Sequence, residues 1–203
     1  MTAKSGREIP PFGDRREGRI GLLGGSFNPA HEGHLHLSRE ALKRLGLDEV
    51  WWLVSPQNPL KSAADMAPLT DRLAGARKMA ADPRIKVTDL ERRLGTARTA
   101  RTLGALTARF KRLRFVWLMG ADNLAQMPQW WRWTQIFKAS RVAVFDRSPY
   151  SYGALAGAAA KRFSWARVSQ TVTLWHRKAP VWTYVAMRRH PASATAIRNA
   201  KKH

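Results

Sequence analysis

The sequence predicts a single-domain α/β protein built on a doubly wound parallel sheet, and three observations predict it. Short apolar runs alternate with stretches of helical periodicity, the pattern of strands buried on both faces beneath covering helices. Glycine and proline punctuation follows the apolar runs, as in Ser55-Pro56-Gln57-Asn58-Pro59, and marks loops at the carboxyl ends of strands. A length of 203 residues suits one well-buried domain and is too short for two large ones.

The first strand is expected over residues 19–23, and a helix over residues 33–45, where Leu35, Leu37, Leu42 and Leu45 recur at near-helical spacing before a terminating Gly46. Strands follow at residues 50–54, 85–89, 114–119, 141–145 and 181–185, short and mostly apolar. Helices are expected between them at residues 69–80, 99–111, 122–137 with an interruption near Pro128, and 151–163, where the alanine-rich stretch 154–160 favours helix. A last helix opens near Thr195, and no internal repeat is present.

Composition narrows the classes of function. No apolar run approaches the roughly 20 residues that cross a bilayer, so no membrane partner is expected. The absence of cysteine excludes disulfides and thiolate metal sites and fits a cytoplasmic enzyme. Residues 1–18 hold Pro10, Pro11 and several charges without an apolar signal region, and read as a disordered basic leader ahead of a domain over residues 19–203. The formal charge of +22, from 36 Lys and Arg against 14 Asp and Glu, would suit a nucleic-acid binder. Its scatter from Arg15 to Lys202, without a nucleic-acid-binding signature, weakens that reading; a positive field equally serves an enzyme that gathers anionic substrates.

The run Gly24-Gly25-Ser26-Phe27-Asn28-Pro29-Ala30-His31-Glu32-Gly33-His34 places glycines and two histidines where a strand ends and a helix begins. Such a joint suits phosphate. Glycines let the backbone approach a ligand and take dihedrals that a Cβ forbids, and the first N–H groups of a helix face an anion favourably. His31 and His34, three residues apart, can reach one bound phosphate. The competing reading is a tight turn carrying two solvated rings. Near the other end, Ser193, Thr195 and Arg198 offer hydroxyls at a helix start and a guanidinium one turn in, either a second anion site or an ordinary cap with a solvated arginine.

Residues 25–34 match every fixed position of the G-x-F-[DN]-P-x-H-x-G-H signature, and the segment closing on Arg198 resembles I-S-[SA]-T-x-I-R with Ala192 at the first position. Both belong to the nucleotidyltransferase superfamily. Gly120-Ala121-Asp122 with the downstream Trp130-Trp131-Arg132-Trp133, Pro56 to Lys61, and Leu90-Glu91 through Thr102-Leu103 further resemble bacterial nicotinate-nucleotide adenylyltransferases over nearly the whole chain. One departure stands out: Arg98 occupies a place usually held by an aromatic, at a wall of the nicotinate pocket.

The resemblance implies a Rossmann-like sheet and transfer of AMP from ATP to nicotinate mononucleotide, with Mg²⁺ carried by ATP and no metal ligand in the protein. His31, His34 and Arg198 would be catalytic, and the ATP site would add Gly24, Gly25, Ser26, Phe27, Gly33, Gly120, Asp122, Ser193 and Thr195. The acceptor would meet Asn58, Lys61, Thr99, Trp130, Trp131 and Arg147. In that arrangement Trp130 stacks on the pyridine ring with Trp131 backing it, and Thr99 bonds the ring carboxylate. Asp122 accepts from a ribose hydroxyl or caps its helix, and Lys61 and Arg147 reach phosphate. A sibling transferase with another phosphorylated acceptor, and a basic nucleic-acid-binding protein on the same scaffold, remain open, as does a homo-oligomeric state.

Overall fold

The computed structural model describes residues 9–56, 66–146, 151–188, 190, 192, 194, 197 and 198. Seven strands form one parallel sheet: β1 (Gly18–Gly25), β2 (Glu49–Val54), β3 (Ile85–Thr88), β4 (Leu113–Gly120), β5 (Arg141–Phe145), β6 (Arg167–Val168) and β7 (Trp182–Val185). Their order across the sheet is β3-β2-β1-β4-β5-β7-β6. The order therefore reverses at β1, which pairs with β2 on one side and β4 on the other. In open α/β sheets ligands bind at the carboxyl ends of strands beside such a reversal, here Gly25 and Gly120.

Both faces of the sheet are covered, as the apolar strands require. On one face Ile20, Leu22, Trp51, Phe115 and Trp117 pack with Leu103, Leu106 and Phe110 of the connection before β4. On the other, Leu23, Trp52, Val116 and Leu118 pack with Leu35, Leu42 and Leu45. Three buried indoles keep a polar partner: Trp52 donates to Ser38 Oγ, Trp175 to the Leu45 carbonyl and Trp182 to the Phe163 carbonyl, each at 2.8 Å.

Between the strands lie α1 (Glu32–Leu45), α2 (Leu69–Met79), α3 (Leu90–Arg93), α4 (Thr99–Arg109), α5 (Ala121–Gln126), α6 (Trp133–Ala139), α7 (Ser151–Leu155), α8 (Ala158–Arg162) and α9 (Thr173–His176). The break expected near Pro128 is a 3-10 turn at Met127–Gln129 between α5 and α6. Three features depart from expectation. The helix foreseen over residues 151–163 is two short helices parted at Gly157, whose φ and ψ of −74° and 169° are extended. The two-residue β6 and the four-residue α3 and α9 are shorter than any periodicity can register. The leader expected over residues 1–18 takes another form from residue 9 onward: Ile9 is buried in the core, and Arg93 donates to its carbonyl at 2.9 Å.

Candidate active site

The joint between β1 and α1 fixes both signature histidines through its own backbone. His31 is the N-cap of α1 and His34 its third residue, the spacing of a capping box. The Gly33 N–H donates to His31 Nδ1 at 3.1 Å, and the His31 N–H donates to His34 Nδ1 at 3.3 Å. A neutral imidazole whose Nδ1 accepts carries its hydrogen on Nε2. Each ring thus presents an Nε2–H donor, and the ring centroids lie 3.9 Å apart. Histidine replaces the usual Ser, Thr or Asp at this cap. His31 is only 1% exposed.

Glycine serves packing in this loop more than dihedral freedom. A Cβ on Gly24 would stand 2.4 Å from the Trp117 ring, and one on Gly33 would stand 2.9 Å from the His31 ring and 3.1 Å from the Ala192 carbonyl. The residue that takes a left-handed conformation is Phe27, at φ 48°, and not a glycine of the signature. Its ring, buried beside Ser26, stacks on Trp52 at 5.0 Å and meets His34 at 4.7 Å.

The C-terminal motif closes on this loop. Arg198 Nη1 donates to the Asn28 carbonyl at 2.6 Å, across 170 positions of sequence. Ser193 and Thr195 lie outside the described residues, as do Asn58, Lys61 and Arg147 of the predicted acceptor site.

At the end of β4, Gly120 is the N-cap of α5, and Asp122 sits in the first helical turn. The alternative of Asp122 as the cap is therefore not the one adopted. Its Oδ1 is buried with no hydrogen-bond partner among the described residues. Such an oxygen is costly unless a ligand donor meets it. Thr99 opens α4, preceded by Arg98, whose side chain is exposed at the N-cap position. Trp130 is half-buried and packs on the core beneath α5 and α6. Trp131 makes no ring contact with Trp130; instead the guanidinium groups of Arg101 and Arg132 lie 5.0 and 4.7 Å from its ring centroid. Because Arg101 belongs to α4, this contact draws the Trp130–Trp131 link toward Thr99.

Two buried charged residues have no role in the sequence reading: Arg72, outside every motif, and Glu91, quoted only as part of one. Arg72, on α2, donates from Nη1 to the carbonyls of Ser26 and Ser55 at 2.7 Å each, from Nη2 to Pro56 at 3.0 Å and from Nε to Ala67 at 2.8 Å. Its signal was legible: positions 69, 72, 73 and 76 make the inward stripe of α2, and only Arg72 is polar there. Glu91, on α3, accepts from Thr102 Oγ1 at 2.9 Å and from the Ser55 hydroxyl. Burial pushes its carboxyl up to about 7, against those two hydrogen bonds.

The donors gathered here, two imidazoles, a guanidinium and helix N–H groups, are anion ligands. Among the described residues no group of three or more His, Cys, Asp or Glu could hold a metal ion, and none of their helices is long and apolar enough to cross a membrane. A divalent cation fits such a site only when chelated by the phosphates themselves.

The cytidylyltransferase-like family model matches residues 22–200. A probable nicotinate-nucleotide adenylyltransferase of Rhizobium johnstonii is 46% identical over 91% of this chain and 94% of its own length. A protein of the same name from a Bradyrhizobium species is 50% identical over 89% and 95%. The solved nicotinic acid mononucleotide adenylyltransferase of Plasmodium falciparum, complexed with NaAD, superposes with a TM-score of 0.65 at 14% identity, covering 89% of this chain and 82% of that one, and shares its fold. A reversed-order parallel sheet, with two histidines and an arginine converging at its switch point, thus accompanies extensive sequence identity, and the chain belongs to the nicotinate-nucleotide adenylyltransferases of the cytidylyltransferase-like family.

Proposed function

We propose that the protein transfers AMP from ATP to the 5′-phosphate of nicotinate mononucleotide, forming nicotinate adenine dinucleotide and pyrophosphate in NAD biosynthesis. The observation that carries this reading is the pair of backbone-fixed histidines with Nε2–H donors, beside Arg198 at the N-terminus of α1. An oxygen of the acceptor phosphate attacks the α-phosphorus of ATP, one P–O bond forms, and the bond to the bridging oxygen breaks as pyrophosphate leaves. The nucleophile is ionised at neutral pH, so no protein base is required. Catalysis is alignment of two polyanions and stabilisation of the charge that builds on the leaving group.

His31, His34 and Arg198 serve the triphosphate, together with Ser193, Thr195 and the loop at Gly24 to Phe27. Gly120 and Asp122 meet a ribose, the orphaned Asp122 Oδ1 accepting a hydroxyl proton. Thr99 and Trp130 hold the pyridine ring, with Trp131 setting their separation through Arg101. Asn58, Lys61 and Arg147 complete the acceptor side. Nucleotidyltransferases use ATP with a divalent metal; here Mg²⁺ bound to the phosphates supplies charge neutralisation. Nucleotide substrates and a cysteine-free sequence support a cytoplasmic setting.

The test is a coupled pyrophosphate-release assay with ATP and, in turn, nicotinate mononucleotide, nicotinamide mononucleotide and phosphopantetheine. The nicotinate acceptor should give the highest kcat/KM. Turnover with phosphopantetheine alone, or with none of the three, would overturn the reading.

A further inference from the structure

Arg72 is 3% exposed, and among the described residues no carboxylate lies within 4.0 Å of it. A buried charge without a counter-charge is costly and persists only where its hydrogen bonds are complete or an opposite charge arrives with a ligand. Four of its five N–H donors meet backbone carbonyls, drawn from the loops after β1 and β2 and from Ala67 just before α2. Lysine has three donors and no planar fork, so it could not tie these segments in the same way. Desolvation lowers the pKa of the guanidinium.

The position of Arg72 matters as much as its charge. Ser26 stands one residue beyond β1, in the loop that leads to the two histidines, and its carbonyl points at Arg72 at 2.7 Å. A trans peptide is planar, so the N–H of Phe27 points the opposite way. The bonds of Arg72 to Ser55 and Pro56 place it on the β2 side of the loop. The Phe27 N–H is thereby turned away from Arg72, at the end of the strand where the order reverses. Phe27 takes φ 48°, a conformation that a bulky residue keeps only when its surroundings hold it. The bond from Arg72 to Ser26 is one of those restraints.

We propose that Arg72 is a positioning residue for the nucleotide phosphates, which locks the Ser26–Phe27 peptide with its N–H toward the ligand and lends a buried positive charge to the site from behind the loop. The proposal rests on the reading of ATP at the β1–α1 joint. It adds a residue from α2, outside every signature, as a determinant of affinity for the polyanionic substrate. The bound phosphates supply a negative charge that no described carboxylate places within 4.0 Å of Arg72.

The experiment compares the full chain with its Arg72→Lys and Arg72→Met variants in steady-state pyrophosphate release, varying ATP and nicotinate mononucleotide separately. Arg72→Met should raise KM for ATP at least tenfold and change KM for the acceptor less than threefold. Arg72→Lys, which keeps the charge, should recover at least half of that loss on a logarithmic scale. A mere structural brace would lower the melting temperature of both variants alike and leave KM for ATP within twofold of wild type, which would overturn the proposal while leaving the adenylyl-transfer reading intact. An inactive wild type would count against that reading instead. Should both variants fail to fold, amide NMR of the wild type decides. The Phe27 N–H must shift on addition of a non-hydrolysable ATP analogue, and an unmoved Phe27 resonance at saturation would refute the proposal.

Discussion

The β1–α1 joint and the face formed by α4, α5 and the Trp130–Trp131 link are held together by different means. At the joint, residues 24–34 shape themselves: the two histidines are fixed by N–H groups of their own helix turn, and Phe27 locks the loop against Trp52. On the acceptor side nothing is local. Thr99 and Trp130, proposed to hold the pyridine ring, come from separate segments, aligned by contacts such as Arg101 on Trp131 and the buried Glu91 beneath the start of α4. A contiguous turn can be required residue by residue, whereas an assembled pocket depends on distant supports.

The largest effect expected on the assembled side belongs to Glu91. Its carboxyl is held at about 7 in the fold, against an ordinary value of 4.5. A raised carboxyl pKa means that the folded state binds more protons than the unfolded chain between those values. Stability should therefore fall as pH rises from about 4.5 to about 7 and level off above, by roughly 3 kcal/mol in all. Urea denaturation at pH 5 and pH 8 should show this loss in the wild type and its absence in Glu91→Gln. Equal pH dependence in the two proteins would mean that the buried carboxyl is not what senses pH.

A smaller effect is expected where the support is exposed. Arg101→Ala removes one of two cations over Trp131 and should cost about 0.5–1 kcal/mol of stability, read from the urea midpoint, with KM for the acceptor raised a fewfold and KM for ATP unchanged. A rise in KM for ATP would erase the distinction between the two sides of the site.

The same distinction explains what the sequence made legible. The strands and longer helices fall within a residue or two of their expected bounds because both-face burial and helical spacing are written into consecutive residues. The strand-to-helix joint that carries the two histidines was legible for the same reason, although its histidines cap the helix, and its glycines make room for Trp117 and Ala192 without adopting unusual dihedrals. The pairing of Trp131 with arginines was not legible, since Arg101 and Trp131 are thirty positions apart and neither has a periodicity that points to the other. Arg72 fell between these cases. Its place on an apolar stripe was visible, but what made the burial tolerable, four carbonyls from three segments, exists only in the folded chain.

The paired histidines are proposed to hold ATP in place during transfer, and the His34→Ala variant puts that role to the test. Loss of the Nδ1 acceptor from the capping box should cost about 1 kcal/mol of stability, leaving the circular dichroism spectrum unchanged. Turnover with ATP and nicotinate mononucleotide should fall more than tenfold. A variant that folds and turns over at the wild-type rate would contradict the account.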